Sequence, residues 1–392
     1  MTDYLLTGNK EKCYGCTACE QKCPKKAIKM HENSEGFLYP VLDKNLCIDC
    51  GLCKKVCPYQ NISEFYKNEI AYALTYNNEK CKNSAPGGAF IAVANSVLDC
   101  GGLVCGCIFD NAFKVEHVLS NNQFIVEKMQ GSKYVQSNLK NVYTEILTQL
   151  NNGKQILFTG TPCQVDGLKL FLGKDYENLY TIDLICHGVP SPKLLEDYLN
   201  YIENKHGKII DFKFRDKNRN GWGSSGTISI KNGNKNKIIT TSQDEDAYYN
   251  LYYKFNAVSR DSCYSCKYSK NERVGDLTIG DYWGIDKVLP SFDTKKGVSV
   301  VIPNTKKGQS ILKQIQNYCT VKETKFVDAT KSNGNLVKPT PKPEKRNNIY
   351  QTLNEFGFSY LVKKECQLRL FVPKLKRLIP RKMKLLLRKV LK

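Results

Sequence analysis

Between residues 70 and 190 the apolar positions fall in short runs separated by polar or glycine-rich turns, at lengths that fit strands and single helices. A β-rich run covers Ala71–Tyr76, and a turn follows at Pro86, Gly87 and Gly88. The pattern then predicts a helix over Ala89–Asp99 and a strand over Leu103–Phe109. Further on, Gln155–Thr159 and Tyr180–Ile185 read as strands bracketing a helical Gln164–Leu172, the order of a βαβ unit in a parallel sheet. Residues 338–345 are rich in Pro and Lys and read as a linker. Beyond it, Leu375, Ile379, Met383, Leu386 and Val390 recur at three- or four-residue steps among Lys and Arg, the pattern of a basic amphipathic helix.

The start of the chain follows a different rule, that of an internal repeat. Cys13-x2-Cys16-x2-Cys19-x3-Cys23-Pro24 returns as Cys47-x2-Cys50-x2-Cys53-x3-Cys57-Pro58. This is the run of bacterial two-cluster ferredoxins, in which three thiolates wrap one cubane and the cysteine before proline reaches the other. Cys13, Cys16, Cys19 and Cys57 are therefore assigned to one 4Fe-4S cluster, and Cys47, Cys50, Cys53 and Cys23 to a second. Gly15, Ala18 and Gly51 suit the close approach of backbone amides to cluster sulfur. Four-cysteine zinc sites also use paired Cys-x2-Cys, but two complete runs ending in Cys-Pro argue for iron. The fold class is then an α/β body with an N-terminal α+β bacterial-ferredoxin-like two-cluster domain and a basic helical C-terminal tail. Four segments follow: 1–62, the two halves of the body at 70–152 and 153–330, and 331–392 as linker and tail.

Charge and composition narrow the setting. The formal net charge is +21, and residues 363–392 hold twelve Lys or Arg against the single acid Glu365, so about half of the excess is one tail. Such a tail fits peripheral contact with the inner face of a membrane, or a helix docked on the body. No base-reading module or stacking platform accompanies it, and no nucleic-acid partner is expected. No apolar run approaches the length needed to span a bilayer, and residues 1–12 lack a signal-peptide core. Eighteen cysteines in metal-ligand spacings, without an export signal, point to the reducing cytoplasm.

Between Ile70 and Pro303 the chain resembles the coenzyme F420 hydrogenase/dehydrogenase beta-subunit family. The resemblance rests on Ser84 to Gly88, on Gly160-Thr161-Pro162-Cys163-Gln164, on Asp183 to Ser191, and on Arg215-Asp216-Lys217. It is completed by Cys263-x2-Cys266 and by Gly280 to Gly284. One departure is Pro86, where the family pattern has Ser before the glycine pair. With its ferredoxin-type start the chain also looks like a bacterial form of the family found beside exopolysaccharide biosynthesis functions. The resemblance implies a flavin, FAD, exchanging electrons with the clusters and a hydride with a deazaflavin-like or other soluble coenzyme. A flavin suits that junction because it takes two electrons as hydride and releases them singly. The alternative is a non-catalytic iron-sulfur relay subunit that docks a partner enzyme.

Several residues stand between a chemical and a structural role. Cys163 and Cys186 each follow a strand of the βαβ unit, and with Cys263 and Cys266 they would complete a third 4Fe-4S cluster; otherwise they are buried thiols and a zinc-like hairpin. Ser84, Gly87 and Gly88 would present backbone to a flavin phosphate, or form a plain turn. Arg215 and Lys217 would hold a phosphate, or belong to a solvated loop. Trp283 would wall an isoalloxazine ring, or pack in the core. His187 is the candidate proton donor, against a satisfied loop histidine. Cys100, Cys105 and Cys107 read as buried filler, and Cys81, Cys319 and Cys366 show no partner in the sequence.

Overall fold

The computed structural model describes residue 5 and residues 8–61, 63–233, 235–366 and 370. The amphipathic pattern at Leu375, Ile379, Met383, Leu386 and Val390 lies outside these residues. Among the described residues no helix is long and apolar enough to cross a membrane.

The N-terminal head uses one device twice. In each half the cysteine loop passes through a left-handed residue, Thr17 at φ 59° or Gly51 at φ 71°, into a short helix, Ala18–Lys22 or Leu52–Lys55. Gly51 adopts that conformation freely. Thr17 is fixed there by its hydroxyl, which accepts from Gln21 Nε2 at 2.7 Å. An antiparallel hairpin, Ile28–Glu32 with Leu38–Leu42, joins the halves. A Cβ at Gly36, next to the hairpin turn, would lie 2.2 Å from Lys193 Cβ, so glycine lets the head close on the helix Pro192–His206.

The body is built on one eight-stranded sheet. Its order is Cys319–Lys325, Ile70–Tyr76, Ser299–Pro303, Leu277–Asp281, Leu179–Leu184, Ile156–Gly160, Leu103–Phe109, Val115–Ser120. The run from Leu277–Asp281 to Leu103–Phe109 is parallel, and the flanks are antiparallel. The expected βαβ unit is present, with its helix at Pro162–Leu172. It starts earlier than apolar spacing marks because Thr161 and Gln164 form a capping box and Pro162 takes the first turn. Ile70–Tyr76 pairs with Ser299–Pro303 and Cys319–Lys325, so segments from both halves of the body share the sheet.

One face of the sheet packs Ile91, Val93 and Val97 of the helix Ala89–Asp99 against Leu157 and Ile182. The other packs Val165 and Leu168, with Tyr143 and Ile146, against Tyr14, Ala18 and Val56 of the head. Head and body therefore share a core. A second sheet, Lys208–Lys213, Gly226–Asn232 and Lys235–Thr241, closes an aromatic cluster that includes Phe212, Phe214, Tyr248 and Tyr249.

Two readings of the sequence change here. Within the segment read as linker and tail, Arg346–Leu361 is a helix whose Ile349, Tyr350, Leu353, Phe358 and Leu361 are buried in the aromatic cluster. Cys100 is not buried filler but exposed, because it caps the end of the helix Ala89–Asp99 at the surface; Cys105 is buried and Cys107 partly so.

Candidate metal centres and the adjoining cavity

The cysteines gather into three separate sets. Cys13, Cys16, Cys19 and Cys57 line one small cavity, so the last cysteine of the second repeat joins the first three of the first. Cys23 lines another with Cys47, Cys50 and Cys53. Cys163, Cys186, Cys263 and Cys266 line a third, at the C-terminal ends of the parallel strands Ile156–Gly160 and Leu179–Leu184. Such edges collect sites because consecutive crossovers leave a crevice there. The sets adjoin one another. Tyr14 lines both the first and the third cavity. The helix Pro162–Leu172 approaches the head so closely that a Cβ at Gly167 would lie 3.1 Å from Cys16 Sγ.

Burial shapes the thiols. It pushes Cys163 up to about 12 and Cys186 up to about 11, and raises Cys263 and Cys266, with neighbouring thiols adding to the first three. Cys16, Cys19 and Cys57 are raised by burial too. Thiolates crowded in such places need a cation among them, and the iron of a cluster would supply it. Among the described residues no three His, Cys, Asp or Glu side chains are gathered as ligands of a single ion.

Beyond the third set opens a cavity of about 490 Å³, which shares Thr161, Cys186, Gly188 and Val189 with it. Its wall includes Tyr134, Tyr252, Tyr253, His187, Asp281 and Trp283. His187 is exposed to this space, yet the surrounding protein lowers its pKa by desolvation, with Asp281 opposing. Trp283 lies 5.1 Å from Trp222 in a near-parallel stack, and the Arg215 guanidinium sits 5.5 Å from its ring.

The expected phosphate contacts are otherwise employed. Gly87 N–H donates to Ser299 Oγ at 3.0 Å, and a Cβ there would lie 2.3 Å from Leu74 O. A Cβ at Gly88 would lie 2.9 Å from Tyr76 Cβ. These glycines let the turn lie against the sheet. Ser84 Oγ pairs with Gln130 Oε1 at 2.6 Å. Lys217 Nζ donates to the carbonyls of Cys81, Pro86 and Lys296, which uses its three N–H groups to knot the loop. Arg215 grips Asp281 through both terminal nitrogens, at 2.6 and 2.8 Å, and donates from Nε to Gly223 O. The phosphate role of Lys217 and Gly87 is thus corrected: their donors are spent inside the protein.

Other residues position the site through partners that no motif marks, although Asp183 itself opens the Asp183 to Ser191 run. Asp183 is buried, receives Arg273 at 2.7 Å, and accepts the N–H groups of Val274 and Gly275. Asp276 accepts from Thr181 N and Oγ1 and from Thr305 Oγ1. Together they tie the chain after Cys266 to the strand before Cys186. Lys267 Nζ reaches Asn61 O at 2.9 Å and also Pro58 O, beside Cys57. Cys81 is buried with Sγ 3.3 Å from Gly87 O, and Cys319 lies near it, its thiol pushed up to about 12 by burial first.

The family described as the carboxy-terminal part of the coenzyme F420 hydrogenase/dehydrogenase beta chain matches residues 153–328, and a 4Fe-4S dicluster domain matches residues 12–62. The chain matches that beta-subunit family, with a dicluster domain in front. The chain is 24% identical over 205 residues to the F subunit of the F(420)H(2) dehydrogenase of Methanosarcina mazei, covering 48% of this chain and 58% of that one. Over 54 residues it is 41% identical to the PorD subunit of the pyruvate synthase of Thermotoga maritima, 14% of this chain and 50% of the relative. An uncharacterised ferredoxin of Methanocaldococcus jannaschii is 35% identical over 65 residues, 16% of this chain and 38% of that one. The chain thus spans less than two thirds of each of these relatives. Among solved structures, the F420-reducing [NiFe] hydrogenase complex of Methanosarcina barkeri gives a TM-score of 0.44 at 17% identity, covering 66% of this chain and 82% of that one. The dicluster domain makes the chain an iron-sulfur protein of electron transfer.

Proposed function

We propose that the chain is an iron-sulfur relay that carries single electrons between a partner protein and the large cavity of its beta-subunit-like body. The observation that carries this reading is the contiguity of the sites. The set with Cys23 lies outermost, with Cys50 exposed, and the set with Cys57 meets the third set at Tyr14. The third set in turn shares Cys186 with the 490 Å³ cavity. In this reading Cys13, Cys16, Cys19 and Cys57 hold an inner cluster and Cys47, Cys50, Cys53 and Cys23 an outer one. Cys163, Cys186, Cys263 and Cys266 hold a third.

The partner is the multisubunit kind of assembly that the hydrogenase and dehydrogenase relatives' names describe. It meets the outer cluster, where Val41, Leu46 and Ile48 are 52%, 50% and 58% exposed, Lys25 lines the same small cavity as Ile48, and Lys44, Lys54 and Lys55, in and just before the second repeat, are exposed.

The cavity favours a finer reading in which it holds a flavin. Its volume lies in the range of cofactor sites, Trp283, Tyr252 and Tyr253 offer aromatic walls, and His187 offers a ring that is neutral near pH 7. When bound, a flavin would supply the exchange between hydride and single electrons. Anaerobic purification with iron, acid-labile sulfide and flavin measured on one preparation tests both readings. Iron and sulfide without flavin support the relay alone, and flavin bleached by a reduced deazaflavin supports the finer reading. Zinc in place of iron overturns both.

A further inference from the structure

Arg260 is 1% exposed, and it stands where the head meets the body. Its Nε donates to Cys13 O at 2.8 Å, one terminal nitrogen donates to Gln136 Oε1 at 3.1 Å, and the other lies 3.5 Å from Cys13 Sγ. Tyr39 and Phe37 cover the guanidinium, with ring centroids 3.9 and 5.6 Å away. Its own carbonyl accepts from Cys263 N, so the same residue fixes a thiol of the third set. Among the described residues no carboxylate is ion-paired with it. An arginine stays charged, and burying it without a counter-charge is costly. The anions within its reach are thiolates, that of Cys13 first, 3.5 Å away, and that of Cys263 of the third set.

We propose that Arg260 is a potential-setting residue: its fixed charge makes the inner cluster easier to reduce than the outer one and so draws electrons into the body. This rests on the reading that Cys13, Cys16, Cys19 and Cys57 hold a cluster. One electron passes from the reduced outer cluster to the oxidised inner cluster, with no bond made and no proton moved. That electron adds negative charge beside the guanidinium, in surroundings where solvent screens little. The outer set has no buried cation of this kind among its lining residues. Lys25, which lines it, is exposed, and water and salt weaken its field.

The test is a redox titration of the anaerobically reconstituted full chain, followed by electron paramagnetic resonance. The outer signal is assigned by its loss in Cys53→Ala. Arg260→Gln is expected to make reduction of the inner cluster about tenfold less favourable, a fall of about 59 mV for one electron, with the outer potential unmoved. Gln136→Glu keeps the arginine but sets a carboxylate against it, and is expected to lower the same potential, which keeps the test open if the first variant does not load iron. Arg260→Lys, which keeps the charge and loses the planar fork, is expected to stay near wild type. An inner potential that Arg260→Gln and Gln136→Glu leave within twofold, or an Arg260→Lys shift as large as that of Arg260→Gln, overturns the proposal alone. A wild-type protein without an inner-cluster signal overturns the cluster assignment beneath it as well.

Discussion

Cys57 and Cys23 show how much one cysteine decides. Each closes the cavity of the other repeat's triplet, and the Cys-Pro spacing made that crossing legible from the sequence. Cys57→Ala is expected to remove the inner cluster and spare the outer, and Cys23→Ala the reverse, as read by iron content and the paramagnetic signals of each variant. The residues expected to contact a flavin were less legible. Arg215 and Lys217 in a charged loop look free in one dimension, and only the fold brings Asp281 to the first and three carbonyls to the second. The pair of Asp183 and Arg273 was invisible for the same reason, since ninety residues separate its members. Arg273→Met leaves the buried Asp183 carboxylate without its counter-charge, and is expected to cost roughly 3–5 kcal/mol in urea unfolding, as broken buried pairs do.

His117 carries a pH signature. It is buried against Phe158, and burial lowers its pKa from the ordinary 6.5 to about 4 although the Thr159 carbonyl at 3.1 Å resists the shift. The unfolded chain takes up a proton as the pH falls through 6.5, whereas the folded chain waits until about 4. The folded state therefore loses stability as pH falls across that window, approaching roughly 3 kcal/mol at its foot. Urea unfolding at several pH values is expected to show this slope in the wild type and not in His117→Gln.

At the scale of elements, the parallel strands were readable because they are short apolar runs with a helix between, and the helix Ala89–Asp99 and the strand Leu103–Phe109 occur at the expected bounds. Their convergence put Cys163 and Cys186 on one edge, and the Cys263 loop joined them through the Asp183 and Asp276 anchors and through Arg260 N–H on the Val189 carbonyl. The helix Arg346–Leu361 escaped the sequence reading. Gly357, at φ 76°, breaks its apolar period, and the neighbouring Pro- and Lys-rich stretch masks its start. Its role is to clamp. Arg346 grips Glu35 of the head through two 2.7 Å contacts and also reaches Ser259 O. Five buried apolar side chains on that helix, at roughly 1.5–3 kcal/mol each, hold it to the body against any exposed charge effect. Arg346→Ala is expected to loosen the head without unfolding the body, seen as faster hydrogen exchange in residues 28–42 while the sheet stays protected.

At the scale of the molecule, the proposed relay would run through a core shared by head and body, from an end with exposed apolar residues to a cavity at the other. Exposed Lys25, Lys44, Lys54 and Lys55, in and beside the cysteine repeats, would steer an acidic carrier toward the outer cluster. Ile48→Glu with Lys54→Glu is expected to slow reduction by such a carrier and to flatten its dependence on salt, measured by stopped-flow. The path itself depends on the third set of thiols, and spin counting on the fully reduced protein tests it most directly. Dithionite reduction of anaerobically reconstituted chain is expected to give three mutually interacting 4Fe-4S centres, one of which disappears in Cys163→Ala while the other two persist. Two centres in the wild type, unchanged by Cys163→Ala, would contradict the account.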